Sequence, residues 1–278
     1  MRVAVAQPAS TDDVAANLAA IDRMTAEAAG SGAELVLFPE YATYEKKRLD
    51  ETFARAAQPL DGSVGTRLAS IARSQGIALV AGVVEASPDP ARPYNTLAAF
   101  SADGSLAAAY RKIHLFDAQG QRESDFISPA PVADPVTFEA SGVTFGLLTC
   151  YDLRFPELAG ALADAGAEVL ALGASWVPGE LKTEQWRTLA AARAIDNAVF
   201  LAGACQAPPV SIGNSLVVDP QGGVLGQLET APGLLVADLD PARIDRARRE
   251  FPIAGQRRVG AGLGGDPVSR SAAQPSPA

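Results

Sequence analysis

Short apolar runs alternate with stretches whose apolar residues return every three or four positions, and this alternation covers most of the chain. Val3 to Ala6 predicts a buried strand. From Asp12 onward Val14, Leu18, Ile21 and Met24 recur at helical spacing, with Thr11 as the expected cap. Leu35 to Phe38 predicts a second strand that stops at Pro39-Glu40. A helix over Val64 to Ser74 and a strand over Ile77 to Val84 come next. Then follows a hairpin, Leu97 to Phe100 and Leu106 to Tyr110, turned by Asp103-Gly104. The order then returns. Val143 to Thr149 reads as a strand, Leu158 to Ala163 as part of a helix, and Val169 to Leu172 as a strand. Gln185 to Asn197 reads as a helix, Val199 to Ala202 as a strand, and a hairpin turns near Gln221-Gly222-Gly223.

The two hairpins resemble each other, NTLAAFSADGSLAAAY beside NSLVVDPQGGVLGQL, so the chain carries a weak internal duplication. Two sheets packed face to face with helices outside would bury both halves in one core. No linker separates them, and residues 1–254 are expected to form one domain. From Gly255 the composition shifts to Gly, Ser, Pro and Ala, which predicts a flexible tail over 255–278. The tail contains a literal G-x-G-x-x-G at Gly260, Gly262 and Gly265. It has no strand before it, and Pro267 follows at once, so it does not read as a dinucleotide site.

Composition narrows the class. The 278 residues are 48% hydrophobic and 20% charged, enough for a sizeable core. A net charge of −9 argues against nucleic-acid or anionic-membrane binding, which needs basic surfaces. The N-terminus reads as a strand rather than a secretory signal, and no apolar run approaches the roughly 20 residues of a membrane helix. Two cysteines, Cys150 and Cys205, are expected to be reduced thiols of a cytoplasmic protein, Cys205 as a small core residue.

Chemistry is sought at strand ends. Cys150 closes the apolar run FGLLTC, a suitable place for a nucleophile, yet a nucleophilic thiol needs a base and the chain has a single histidine, His114. Zinc spacing, a phosphate-binding loop and a G-x-S-x-G elbow are all missing from the sequence. Glu40 closes LVLFPE and Lys112 closes LAAAYRK. A carboxylate whose pKa is raised by burial can take a thiol proton, and a lysine can favour the thiolate and hold an oxyanion. Glu40, Lys112 and Cys150 together therefore replace the histidine. His114 is expected to be structural. Trp176, after the strand end at LGAS, suits either a pocket wall or plain packing. Arg154 suits either a bidentate clamp on a substrate carboxylate or a pair with Glu157 or Asp152.

FPE near the N-terminus, YRKIHLFD in the middle and CYDLRFPE after it resemble the nitrilase superfamily of carbon–nitrogen hydrolases, from Val3 to about Pro252. The resemblance implies a four-layer α-β-β-α sandwich that dimerises through its helices, with Glu40, Lys112 and Cys150 as catalytic residues and Glu123 as a second glutamate. CYDLRFPE is most similar to the Nit-type amidases, which include ω-amidases and deaminated-glutathione amidases. It implies hydrolysis of a small carboxylate-bearing amide through a thioester, the oxyanion resting on Lys112 and the N–H of Tyr151, without metal or cofactor. A carbamoylase or nitrilase with the same residues is the alternative, although carbamoylases carry two adjacent arginines where this chain has Leu153-Arg154. A catalytically silent binding protein on this fold is the rival of another class. The segment AQGQRESDFISPAPV lacks the Pro-Gly-Asp usual in Nit amidases, so the pocket wall there is expected to differ.

Overall fold

A computed structural model describes residues 1–258 of the chain. The first half contains β1 (Arg2–Gln7), α1 (Val14–Gly30), β2 (Leu35–Leu37), α2 (Thr52–Ala56), α3 (Ser63–Gln75), β3 (Ala78–Glu85), β4 (Tyr94–Phe100) and β5 (Leu106–Arg111). The second contains β6 (Thr137–Ala140), β7 (Val143–Thr149), α4 (Pro156–Asp164), β8 (Val169–Ala174), α5 (Lys182–Asn197), β9 (Phe200–Cys205), β10 (Leu216–Val218) and β11 (Val224–Gln227). After these come β12 (Gly233–Asp238), α6 (Pro241–Glu250) and α7 (Ile253–Gln256).

The duplication is visible in the sheets, ordered β12-β1-β2-β3-β4-β5 and β11-β10-β9-β8-β7-β6. In each, three parallel strands continue into an antiparallel hairpin, and one antiparallel strand covers the opposite edge. The parallel strands are buried on both faces, which is why they appear in the sequence as unbroken apolar runs. Alternation then divides their side chains between layers. Val3, Val5, Leu35, Leu37 and Val80 share a core with Phe145 and Leu147 of the other sheet. Their neighbours Ala4, Val36 and Leu79 turn outward onto Ile21 and Met24 of α1 and Leu68 and Ile71 of α3. Leu158 and Leu162 of α4 and Trp186 and Ala190 of α5 cover the second sheet. The result is the α-β-β-α sandwich.

Some expectations change. The cap of α1 is Asp13, whose side chain accepts from the Ala16 amide at 3.0 Å, while Thr11 accepts from the Asp13 amide at 3.2 Å. β6 and β12 lie outside the predicted pattern because both are edge strands with partly exposed faces, so neither is a continuous buried run. The expected domain end at residue 254 falls inside α7, and Arg257 still pairs with Asp164 at 2.6 Å. Residues beyond 258, with the G-x-G-x-x-G match, lie outside the described residues. Among the described residues no helix is long and apolar enough to cross a membrane.

This topology gathers the carboxyl ends of β2, β7 and β8 with the end of β5 at one rim of the two sheets. That is where open parallel sheets receive ligands.

Candidate active site

Glu40 lies three residues past β2, in a turn that fits against two glycines. The Gly82 amide of β3 donates to the Pro39 carbonyl at 3.1 Å, and a Cβ on Gly82 would stand 2.5 Å from the Tyr41 nitrogen. A Cβ on Gly173 of β8 would stand 3.1 Å from the Glu40 nitrogen. The carboxylate that this close approach admits is buried. Its Oε1 accepts from Lys112 Nζ at 2.9 Å and Asn95 Nδ2 at 2.6 Å, and its Oε2 from the Ser175 amide at 2.7 Å.

Lys112, the first residue after β5, is equally buried, and its ammonium also reaches Glu123 Oε2 at 2.8 Å. Glu123 opens a short 3-10 turn, Glu123–Asp125, and takes further hydrogen bonds from Tyr41 Oη at 3.0 Å, Asn95 at 3.1 Å and the Phe116 amide at 2.6 Å. Burial works to lower the Lys112 pKa, but Glu123 and Glu40 outweigh it and hold the ammonium well above its ordinary value. Lys112 is thus a fixed positive charge between two carboxylates.

Cys150 ends β7 with φ at 49° and opens a 3-10 turn, Cys150–Arg154. A non-glycine residue there is strained, as at other turns that lift a nucleophile out of a sheet. Buried Asp152 braces the turn by accepting from the Thr149 amide at 2.9 Å, Tyr110 Oη at 2.7 Å and His114 Nδ1 at 2.7 Å. The His114 ring stacks on Phe155 at 3.7 Å. The single histidine is therefore tied into the scaffold of the nucleophile turn. Burial pushes the Cys150 thiol well up, Glu40's charge adds to this, and Lys112 opposes it. The resting group is a thiol beside a carboxylate that can accept its proton. Cys205, buried at the end of β9, is pushed up to about 12, chiefly by burial, and lies in the core.

These groups open into a small cavity at the rim. Tyr151 and Trp176 line it, so the wall position considered for Trp176 is the one it occupies. It is also packed, its indole N–H donating to the Lys182 carbonyl at 3.0 Å. Arg154 forms neither expected ion pair. Asp152 is engaged by other donors, and the Arg154 guanidinium donates to Gln185 Oε1 at 2.6 Å and lies 5.1 Å from the Trp176 ring.

Sequence reasoning missed Asn95, Tyr41, Glu45 and Lys182. Asn95 stood at the head of the first hairpin, where two strand neighbours hid its inward direction. Glu45 lines the cavity fully buried, with Oε1 accepting from the Lys46 amide at 2.9 Å and Oε2 unpartnered. Burial pushes its carboxyl well above the ordinary 4.5, and the charge of Glu40 adds to this. Among the described residues no cluster of three His, Cys, Asp or Glu is placed to hold a metal.

Residues 2–249 match the family model for carbon-nitrogen hydrolase. A hydrolase of Mycobacterium tuberculosis is 40% identical over 91% of this chain and 94% of its own. Deaminated glutathione amidase of Escherichia coli O157:H7 is 34% identical over 93% of this chain and 97% of its own. Among solved structures, an amidase from Nesterenkonia sp. AN1 superposes with a TM-score of 0.77 at 31% identity, covering 91% of this chain and 98% of that one, and carries acrylamide added at its active-site cysteine. Saccharomyces cerevisiae Nit3, of the nitrilase superfamily, superposes at 0.82 with 28% identity, covering 93% and 97%.

Two outcomes follow from this geometry. Gly82→Ala forces the Glu40 turn away from β3 and should lower both kcat, by about tenfold or more, and Tm, since overpacking costs roughly 1–3 kcal/mol. An active, fully stable variant would show that the close approach is dispensable. Glu45 is neutral when folded but ionised in the unfolded chain above its ordinary 4.5, so it withdraws stability as pH rises from there towards its folded value. Glu45→Gln should therefore gain Tm over the parent at pH 8 relative to pH 5. A difference independent of pH would mean that Glu45 ionises normally.

Proposed function

The chain belongs to the carbon–nitrogen hydrolase family, as a Nit-type amidase of the nitrilase superfamily acting on non-peptide C–N bonds, and we propose that its substrate is a small amide bearing a carboxylate. The observation that carries the chemistry is the buried Lys112 ammonium shared by Glu40 and Glu123 beside the strained Cys150 turn. The relatives named as amidases support an amide as the bond broken. Lys182, which lines the cavity with no carboxylate at ion-pair distance among the described residues, supports an acidic substrate.

In this reading Cys150 passes its proton to Glu40 as the sulfur attacks the amide carbon. Because the thiol pKa is raised, proton transfer and attack proceed together rather than through a stored thiolate. The oxyanion accepts from the Lys112 ammonium and from the Tyr151 N–H, an amide in the first turn of its helix with no intrahelical acceptor. Glu40 then protonates the departing nitrogen, ammonia leaves, and a thioester remains. Next Glu40 takes a proton from water, which attacks the thioester and releases the acid and the free thiol. Glu123 is a positioning residue. It fixes Lys112 and, through Asn95 and Tyr41, the wall beside Glu40. A cytosolic setting is part of the proposal, supported by two unpaired thiols, and so is the pairing of two copies expected of such a sandwich.

Incubation with a slow ester or amide should leave an acyl group on Cys150, visible by intact mass. Cys150→Ala should abolish adduct and turnover, and Cys205→Ala should spare both. Glu40→Gln should lower kcat by about 10²-fold or more. An acyl group on Cys205, or a fully active Glu40→Gln enzyme, would overturn this assignment. Ammonia release from ω-amides, N-carbamoyl amino acids and nitriles, measured side by side, tests the bond broken.

A further inference from the structure

Four lysines line the cavity, but they differ in what holds them. Lys112 is matched by Glu40 and Glu123, and Lys46 pairs with Asp50. Lys47 is exposed at the mouth. Lys182 alone is both buried, at 2% exposure, and without a carboxylate at ion-pair distance among the described residues. Its ammonium sits against aromatic faces instead, 4.8 Å from the Trp176 ring and 5.1 Å from the Phe116 ring.

Such a placement is costly on several counts. A buried ammonium loses much of its hydration, and two aromatic faces return only part of it. Lys182 is also the first residue of α5, where the helix dipole disfavours a cation. The residue before it, Leu181, is held at φ of 56° with its side chain exposed. Arg154 nearby adds like charge, and burial with that charge moves the Lys182 pKa down while Cys150 moves it up. Glu45, the one other carboxyl on this wall, makes no ion pair with the ammonium, and burial pushes its carboxyl well above the ordinary range. A position that breaks several local rules at once, inside a reaction cavity, is one whose counter-charge arrives with a ligand.

We infer that Lys182 is the anchor for the substrate's distal carboxylate, the specificity-determining cation of the site, in the place that Arg154 held by sequence alone. This rests on the amidase reading and adds to it the group that selects the acid end. The carboxylate replaces lost water on the ammonium, and Trp176 and Phe116 flank the acyl chain between it and Cys150. Lys182 and Cys150 line the same cavity, so the chain that fits is short.

The test uses matched pairs, succinamate against succinamide and glutaramate against glutaramide, which differ in one charge and hardly in shape. The parent enzyme should prefer the anionic member of one pair in kcat/KM. Lys182→Met should shrink that preference by about tenfold or more, the scale of a lost charge-assisted contact, mainly through KM. Lys182→Arg should recover part of it, and Arg154→Gln should leave it intact. Circular dichroism and the rate of Cys150 alkylation by neutral iodoacetamide monitor folding and the nucleophile. If Lys182→Met slows both members of each pair alike and slows alkylation, Lys182 serves the thiolate and the inference fails. It fails also if the parent hydrolyses both members without preference, while the amidase reading then stands. No hydrolysis of any amide by an enzyme whose Cys150 still alkylates would remove both.

Discussion

One ammonium between two carboxylates, sealed from solvent, sets the terms for the rest of this molecule. Three ionised groups out of water cost far more than their mutual attraction returns unless every remaining lone pair is met. Here each carboxylate oxygen has a donor, with Asn95 Oδ1 alone of the network left unpartnered: Asn95 reaches both carboxylates, the Ser175 amide and Tyr41 hydroxyl donate to one oxygen each, and the Phe116 amide to another. These partners come from loops after β2, β5 and β8 and from the head of β4. None can shift alone without orphaning a buried charge. Gly82 and Gly173 belong to the same requirement, because the Glu40 turn reaches this network only where two strands present no Cβ.

The reacting thiol belongs to the other sheet. Glu40 and Lys112 leave strands of one sheet and Cys150 leaves β7 of the second, so the distance between base and nucleophile is set by the core between the sheets. That explains why an unbroken layer of Val, Leu and Phe side chains lies directly beneath the rim. Close packing there transmits any change of volume to the site. A second network, centred on Asp152, ties the nucleophile turn to the first sheet, because Tyr110 of β5 and His114, two residues past Lys112, both donate to it. It holds Cys150 in a conformation that its backbone alone disfavours, and the one histidine of the chain is consumed in that task. The segment that carries Lys112 thus also braces the nucleophile turn, and the two sheets are coupled at the site.

What the sequence revealed and what it hid have the same physical origin. Glu40 and Cys150 stood out because each follows an apolar run buried on both faces, where a polar residue has few roles other than chemistry, whereas Lys112 follows the half-exposed edge strand β5 and stood out only as the third polar strand end. The parallel strands were legible for the same reason, and the edge strands β6 and β12 were not, since half of each faces outward. Asn95 and Lys182 gave no such signal. Asn95 opens an antiparallel strand, where alternation of polar and apolar residues is ordinary, and Lys182 begins a helix whose first turn is otherwise polar. Arg154, which the sequence left between a clamp and a brace, donates to Gln185 of α5, a partner too distant in sequence for any local pattern to show.

The charges of the cavity give the site a direction. Glu40 and Glu123 against Lys112 leave an excess of one negative charge next to the thiol, and moving the proton from Cys150 to Glu40 does not change that sum. An anionic substrate is therefore repelled at the reacting end. Lys182 supplies the opposite field against the Trp176 ring, and no carboxylate at ion-pair distance among the described residues cancels it. The two fields together allow only one orientation: the carboxylate against Lys182 and the neutral amide against Cys150. In a cavity of low dielectric this discrimination acts before any hydrogen bond to the amide forms. It also disfavours the product, because hydrolysis turns the amide into a second carboxylate beside Glu40. The same arrangement that orients the substrate therefore expels the acid.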